Sequence, residues 1–353
     1  MVAVFFVVSG FVLSHRFIQR MHRHEYPELF ASLSSITFRR AIRLFLPAFA
    51  SSLLAYVCTD FGLVSIPSKV DGKRFTHGLT AYLDFLDMES DPWAWDVSYF
   101  GFYNPQLWSI AVEFRGSMVV FLLIIGLARV RPVVRLAVEG LLVTHGFMHK
   151  RWDAALFVMG MIIAELEILF PRKPQNPSKR RLLNIALFAT LTLGVYLSGY
   201  PRDGNIETPG FMWSQYVWPY TAYRRRFWLA VGSILIVGAM AFLPSVQGLF
   251  LTRPARYLGR ISFALYLVHG LGNRTIGTWI TAACWSIFGH EGEWQYAVSF
   301  VMATITYFPV VIWASDIFWR AVDIPSTNLA KWVEKKCMSP SPNPVTDRPR
   351  FMA

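Results

Sequence analysis

Charge is scarce in this chain. Only 16% of its 353 residues are Asp, Glu, Lys or Arg, where soluble domains carry about 25%. Acids are the scarcer sign, 22 against 34 Lys and Arg, and 54% of all residues are hydrophobic. That composition excludes an ordinary pair of soluble domains. Cysteine is nearly absent: Cys58, Cys284 and Cys337 stand far apart and form neither a CxxC metal site nor a disulfide framework. Short segments of alternating hydrophobicity are missing, which excludes a membrane β-barrel, and no repeat of a solenoid's length recurs. The first apolar run, "VAVFFVVSGFVLS", has no charged leader, so it does not read as a signal peptide. It is also shorter than the roughly 20 residues that span a bilayer.

What the chain does have is long apolar runs. Nine are legible, at about 1–14, 44–60, 107–128, 132–147, 154–170, 182–200, 227–247, 260–288 and 296–319. The predicted fold class is therefore all-α, a polytopic transmembrane helix bundle. Arg135 and Glu139 weaken the fourth run, and "HGLGNRTIG" predicts a kink or break in the eighth.

The net charge of +12 sits in clusters such as "SHRFIQRMHRH", "TFRRAIR" and "PRKPQNPSKRR" between these runs. Alternate loops carry 23 against 9 Lys and Arg, which orients the C-terminal tail to the cytoplasm. The same asymmetry accounts for the basic excess without nucleic acid. "YRRRFW" at 223–228 runs against it. The 59–106 loop, with seven acids and Trp93 and Trp95, reads as an ordered external cap at the membrane interface. The expected domains are a transmembrane domain over 1–322 and a cytoplasmic, largely disordered tail over 323–353.

Charged side chains inside apolar runs cost at least about 2.5 kcal/mol each, so each is a functional candidate. Glu113 and Arg115, two apart in "WSIAVEFRGS", fall on different helix faces. Glu113 is either an acid or base or one half of an interhelical ion pair. His269 suits proton transfer or a satisfied core histidine, and shares a helix face with Ser262 and Tyr266. Arg40 and Arg43, spaced i, i+3 beside Arg39, form a two-pronged cation for phosphate, a topology anchor or a lipid headgroup contact. His15, His22, His24, His145 and His149 lie in expected loops or helix ends and complete no metal or haem motif, so neither group is expected.

Four stretches, "FFVVSGFVLS", "FRRAIRLFLPA", "QLWSIAVEFRGSMVVF" and "LGRISFALYLVHG", together resemble the acyltransferase-3 family of membrane acyltransferases, in a fungal-type form. The resemblance implies about ten transmembrane helices that move an acyl group, often acetyl, from acyl-CoA to a hydroxyl of a carbohydrate or other small molecule. It matches Arg40 and Arg43 to the family's arginine pair, Trp108, Ser109 and Glu113 to its Trp-Ser-x-x-x-Glu feature, and Ser262, Tyr266 and His269 to its Ser-x-x-x-Tyr-x-x-His feature. Family members also carry an upstream helix with the histidine regarded as the base. None of the eight histidines here occupies that place, so a tenth helix ahead of residue 1 is expected.

The expected site then has Glu113 and His269 as catalytic groups and Arg40 and Arg43 on acyl-CoA. Ser9, Trp108, Arg115, Ser262 and Tyr266 lie along the acceptor path. The competing readings are an inactive membrane fragment or pseudoenzyme and, from the polar residues within helices, a transporter.

Overall fold

The computed structural model describes residues 2–64, 69–70, 73–74, 78–93, 103–170, 177–202, 207–219 and 223–338. Each of the nine apolar runs becomes helix. They are α1 (Val2–His22) and α2 (Tyr26–Asp60), then α4 (Trp108–Leu127), α5 (Pro132–Met148), α6 (Trp152–Leu169), α7 (Pro177–Ser198) and α8 (Arg224–Phe242). The last two runs give α10 (Arg253–Gly272) with α11 (Thr278–Phe288), and α12 (Glu293–Phe318). Two shorter helices, α3 (Leu79–Ser90) and α9 (Pro244–Phe250), lie in the connections, and α13 (Ile324–Cys337) follows α12. A two-residue hairpin pairs Lys69–Val70 with Lys73–Arg74. Six of the helical stretches are long and apolar enough to cross a membrane. The protein is an all-α membrane helix bundle.

Several helices outrun their apolar cores, because the flanking polar residues are good helix formers and the stops lie further on. After α1 and α5 the chain turns through His24 and Lys150, both left-handed at φ 58° and 60°. In each turn a six-to-one hydrogen bond closes the helix end, Glu25 N to Arg20 O and Arg151 N to Gly146 O. Gly62, at φ 71°, closes α2 in the same way with Leu63 N on Cys58 O. Tight turns keep α1 beside α2 and α5 beside α6.

The expected break at "HGLGNRTIG" is a π-helical turn over Asn273–Gly277 that joins α10 to α11 without interruption. Such a turn admits one extra residue and redirects the helix. Across the expected boundary at 322/323, α12 runs through a second π turn at Trp319–Asp323 into α13, which packs on α2 with Ser326 and Ala330 buried. Residues 339–353, where disorder was expected, lie outside the described residues.

Two cores share α4. One joins α1, α4, α6 and α8 around Phe6, Phe121, Phe157 and Met161. Its tightest contact is α1 on α6: a Cβ at Gly10 would strike the Phe157 carbonyl, and one at Gly160 the Val7 carbonyl. Small residues let the two backbones touch, which supplies packing where no hydrophobic effect separates helix from lipid. The other core joins α2, α3, α4 and α10 around Ala48, Tyr82, Phe85, Tyr103 and Leu267. Here the described part of the expected cap is seated by aromatic edge contacts: Tyr103 meets Tyr56, Tyr82 and Phe85 at 5.3–5.8 Å. Trp93 is exposed, and Trp95 lies outside the described residues.

Candidate active site

Where α2 crosses α4, Arg40 enters the bundle. Its Nη2 donates to Glu113 Oε1 at 2.6 Å and its Nε to Ser117 Oγ at 2.9 Å. Ser117 in turn donates to the Glu113 carbonyl at 2.6 Å, one helical turn back on α4. Glu113 is 3% exposed, so both charges have left water and depend on each other. Its second oxygen, Oε2, is buried without a hydrogen bond, and Ser9 of α1 is the other polar side chain that interacts with this carboxylate. Ser9, Arg40 and Glu113, singled out on three separate stretches, thus come together. One carboxylate oxygen is anchored by Arg40 and the other has no geometric hydrogen bond among the described residues.

Next to this pair, α1 and α2 enclose a cavity of about 500 Å³. Arg16, Arg20, Arg39, Arg40 and Arg43 line it, with Ser32, Ser35 and the apolar side chains of Val12, Leu13, Phe17 and Ile36. Arg20 donates to the Glu28 carbonyl and Ser32, and Arg39 to Ser35. Arg16 and Arg43 have no hydrogen-bond or ion-pair partner among the described residues. Five guanidinium groups around one space repel one another, so the cavity suits a polyanion with an apolar arm. The sequence reading does not anticipate Arg16 and Arg20, because it ends the first apolar run at residue 14 and assigns them to a loop. Their i, i+4 spacing is the signal that carries them onto one face of the extended helix.

Above the Arg40–Glu113 pair, Ser109 and Tyr266 share a hydrogen bond of 2.6 Å between α4 and α10. The Tyr266 hydroxyl also donates to the Gln106 carbonyl at 2.7 Å. Trp108 packs edge-on against Phe6 of α1, and Phe5 stacks on Tyr266 at 6.3 Å. Ser262 and His269 flank Tyr266 on α10 but stay exposed. The Ser262 hydroxyl bonds the Gly259 carbonyl, and His269 Nδ1 lies 2.8 Å from the Tyr266 carbonyl, which leaves Nε2 facing outward. Among the described residues no hydrogen bond links His269 to Glu113.

Arg115 turns away from Glu113 and meets Asp153 of α6 at 2.6 Å, while also donating to the Pro92 carbonyl of the 59–106 loop at 3.3 Å. It joins α4, α6 and the cap rather than the arginine cavity. A further polar cluster escapes the sequence reading. Arg135 holds Glu165 through two hydrogen bonds of 2.6 and 3.1 Å, His22 bonds the same carboxylate at 2.8 Å, and His15 bonds Glu167 at 2.8 Å. Of the histidines expected in loops or helix ends, His15 and His22 are thus helix-borne partners that tie α1 to α6.

Comparison with known proteins bears on what this site does. The acyltransferase-3 family, described as an acyltransferase domain, matches residues 1–320. The O-acetyltransferase PaAT-1 of Phomopsis amygdali is 25% identical over 377 residues, which cover 97% of this chain and 76% of that protein. Acyltransferase clz18 of Cochliobolus lunatus is 25% identical over 92% of this chain and 78% of its own. Acyltransferase R4 of Phoma sp. is 25% identical with the same coverage. No solved structure matches. With the family matched across nearly the whole bundle, the chain belongs to the acyltransferase-3 family and is a multi-pass integral membrane acyltransferase.

Proposed function

We propose that this protein is an O-acyltransferase that takes an acyl group, acetyl above all, from acyl-CoA and passes it to a hydroxyl of a carbohydrate or another small acceptor. The observation that carries the reading is the five-arginine cavity ending at the Arg40–Glu113 pair. Acyl-CoA is a polyphosphate with an uncharged pantetheine arm ending in a thioester, and the cavity offers cations beside apolar lining for that combination. The name of the Phomopsis relative, an O-acetyltransferase, supports the same chemistry.

In this reading Arg16, Arg20, Arg39 and Arg43 hold phosphates from the cytoplasmic side, the face assigned by the loop charges. The thioester carbonyl reaches Arg40, whose guanidinium stabilises the oxyanion as it forms. The acceptor hydroxyl attacks the thioester carbon while Glu113 Oε2 takes its proton. The carbon–sulfur bond then breaks, and that proton passes to the departing thiolate. Tyr266, Ser109 and Trp108 line the acceptor's approach, with Ser262 and the outward Nε2 of His269 at its mouth. Positioning of this kind and a placed base are the two contributions the chemistry needs, because a thioester is already activated.

The test is transfer from radiolabelled acetyl-CoA by the full chain in lipid nanodiscs, with saccharides and hydroxylated natural-product-like alcohols as acceptors. Labelled ester that disappears in Glu113→Gln supports the reading. Solute uptake by proteoliposomes without acyl-CoA, and no labelled ester, overturns it.

A further inference from the structure

The arginine cavity is not bordered by cations alone. Helix α13 lies against α2 through its small buried face, Ser326 and Ala330. From there Glu334 reaches Arg39, Oε2 to Nε at 3.0 Å, with both side chains mostly out of water at 15% and 21% exposure. In the π turn that leads into this helix, Asp323 lies within electrostatic range of Arg43, which has no hydrogen-bond partner among the described residues. One cavity arginine, Arg39, therefore pairs with a carboxylate of α13, Arg43 has the Asp323 carboxylate of the preceding turn in its vicinity, and Arg40 pairs with Glu113.

We infer that α13 and the turn leading into it are an intramolecular counter-anion for the cavity: Glu334 occupies Arg39 when no anionic ligand is bound and competes with its phosphates when one arrives, and Asp323 adds negative charge near Arg43. The inference rests on the donor-site reading above. The physical argument is charge balance. Arg39 donates its Nη2 to Ser35 Oγ and its Nε to the Ser35 carbonyl, while Glu334 Oε2 sits 3.0 Å from Nε as its counter-charge, so a phosphate takes over the Arg39 charge fully only if Glu334 lets go. Glu334 is also the more easily displaced partner, because α13 is held by small residues while Leu329 and Trp332 are exposed. A contact of this sort lowers affinity for the donor and couples the cavity to whatever moves α13.

The experiment measures acetyl-CoA binding by calorimetry to the full chain in phosphatidylcholine nanodiscs at low salt. Glu334→Gln binds acetyl-CoA about fivefold more tightly than wild type, the scale of releasing one partly exposed ion pair, and Asp323→Asn shifts it the same way. In an Arg39→Gln background the Glu334→Gln gain disappears. Pantetheine, which lacks the nucleotide phosphates, shows no gain in either variant. Unchanged or weaker acetyl-CoA binding by both variants overturns the competition while the donor site stands. Wild-type protein that binds no acetyl-CoA, or binds it equally after Arg16→Gln, overturns the donor site and the competition with it.

Discussion

Arg40 and Glu113 are 73 positions apart in sequence and 2.6 Å apart in space. Glu113 is buried and Arg40 mostly so, and neither is indifferent to the loss of the other. A buried charge stripped of its partner costs about 3–5 kcal/mol, whereas removing both together costs much less. Glu113→Gln and Arg40→Gln each lower the unfolding temperature of the detergent-solubilised protein, and the double variant recovers part of the loss. Activity separates structure from chemistry. If Glu113 Oε2 takes the acceptor proton, Glu113→Gln lowers kcat by about 10²- to 10⁴-fold, and the double variant stays inactive although its stability improves.

Close approach of α1 and α6 gives a second expectation. Alanine at Gly10 or Gly160 puts a Cβ against backbone carbonyls, of Phe157 and Val7 respectively, which no rotamer change relieves. Overpacking of that kind costs about 1–3 kcal/mol. Gly10→Ala and Gly160→Ala lower the midpoint of chemical unfolding measured by tryptophan fluorescence, while Gly126→Ala, whose Cβ meets nothing, does not lower it.

How much of this was legible beforehand follows from range. Hydropathy is local, so the nine apolar runs and the bundle can be read directly from the sequence. Local spacing also separates Glu113 from Arg115 onto different faces of α4, and the structure gives them different partners, Arg40 and Asp153. The partners themselves are not legible, because Asp153 lies 38 positions from Arg115 and nothing in either stretch names the other. Arg16 and Arg20 fail for another reason. Hydropathy marks where a membrane core ends, and α1 continues eight residues beyond that point to His22. The same limit hides α13: a short helix of low hydropathy gains its place only from α2.

The Arg135–Glu165–His22 cluster supports a third expectation. Arg135 is 2% exposed and Glu165 fully buried, with the guanidinium bonded twice to the carboxylate. Glu165→Gln leaves a buried guanidinium without its counter-charge and destabilises by about 3–5 kcal/mol. His22→Gln keeps a hydrogen-bond donor near Glu165 and leaves the Arg135 pair intact, so it destabilises far less. Side-by-side thermal unfolding in detergent gives the order: wild type and His22→Gln close together, Glu165→Gln well below.

Glu89 makes stability depend on pH. It ends α3 beneath the cap at 1% exposure, and neither carboxylate oxygen has a geometrically sound hydrogen bond. Burial pushes its carboxyl from 4.5 up to about 8, against a smaller opposing pull from the Ser52 hydroxyl. The folded state therefore holds this proton more tightly than the unfolded chain. The sign follows from linkage: stability is complete below pH 4.5, falls as pH rises from there, and stays low above pH 8. Glu89→Gln removes the charge that burial disfavours while keeping the side chain's shape. Wild type and variant unfold at similar temperatures near pH 5, and at pH 8.5 the variant is the more stable. A gap that stays constant between those two pH values shows that Glu89 is ionised in the folded protein and has water or a cation beside it.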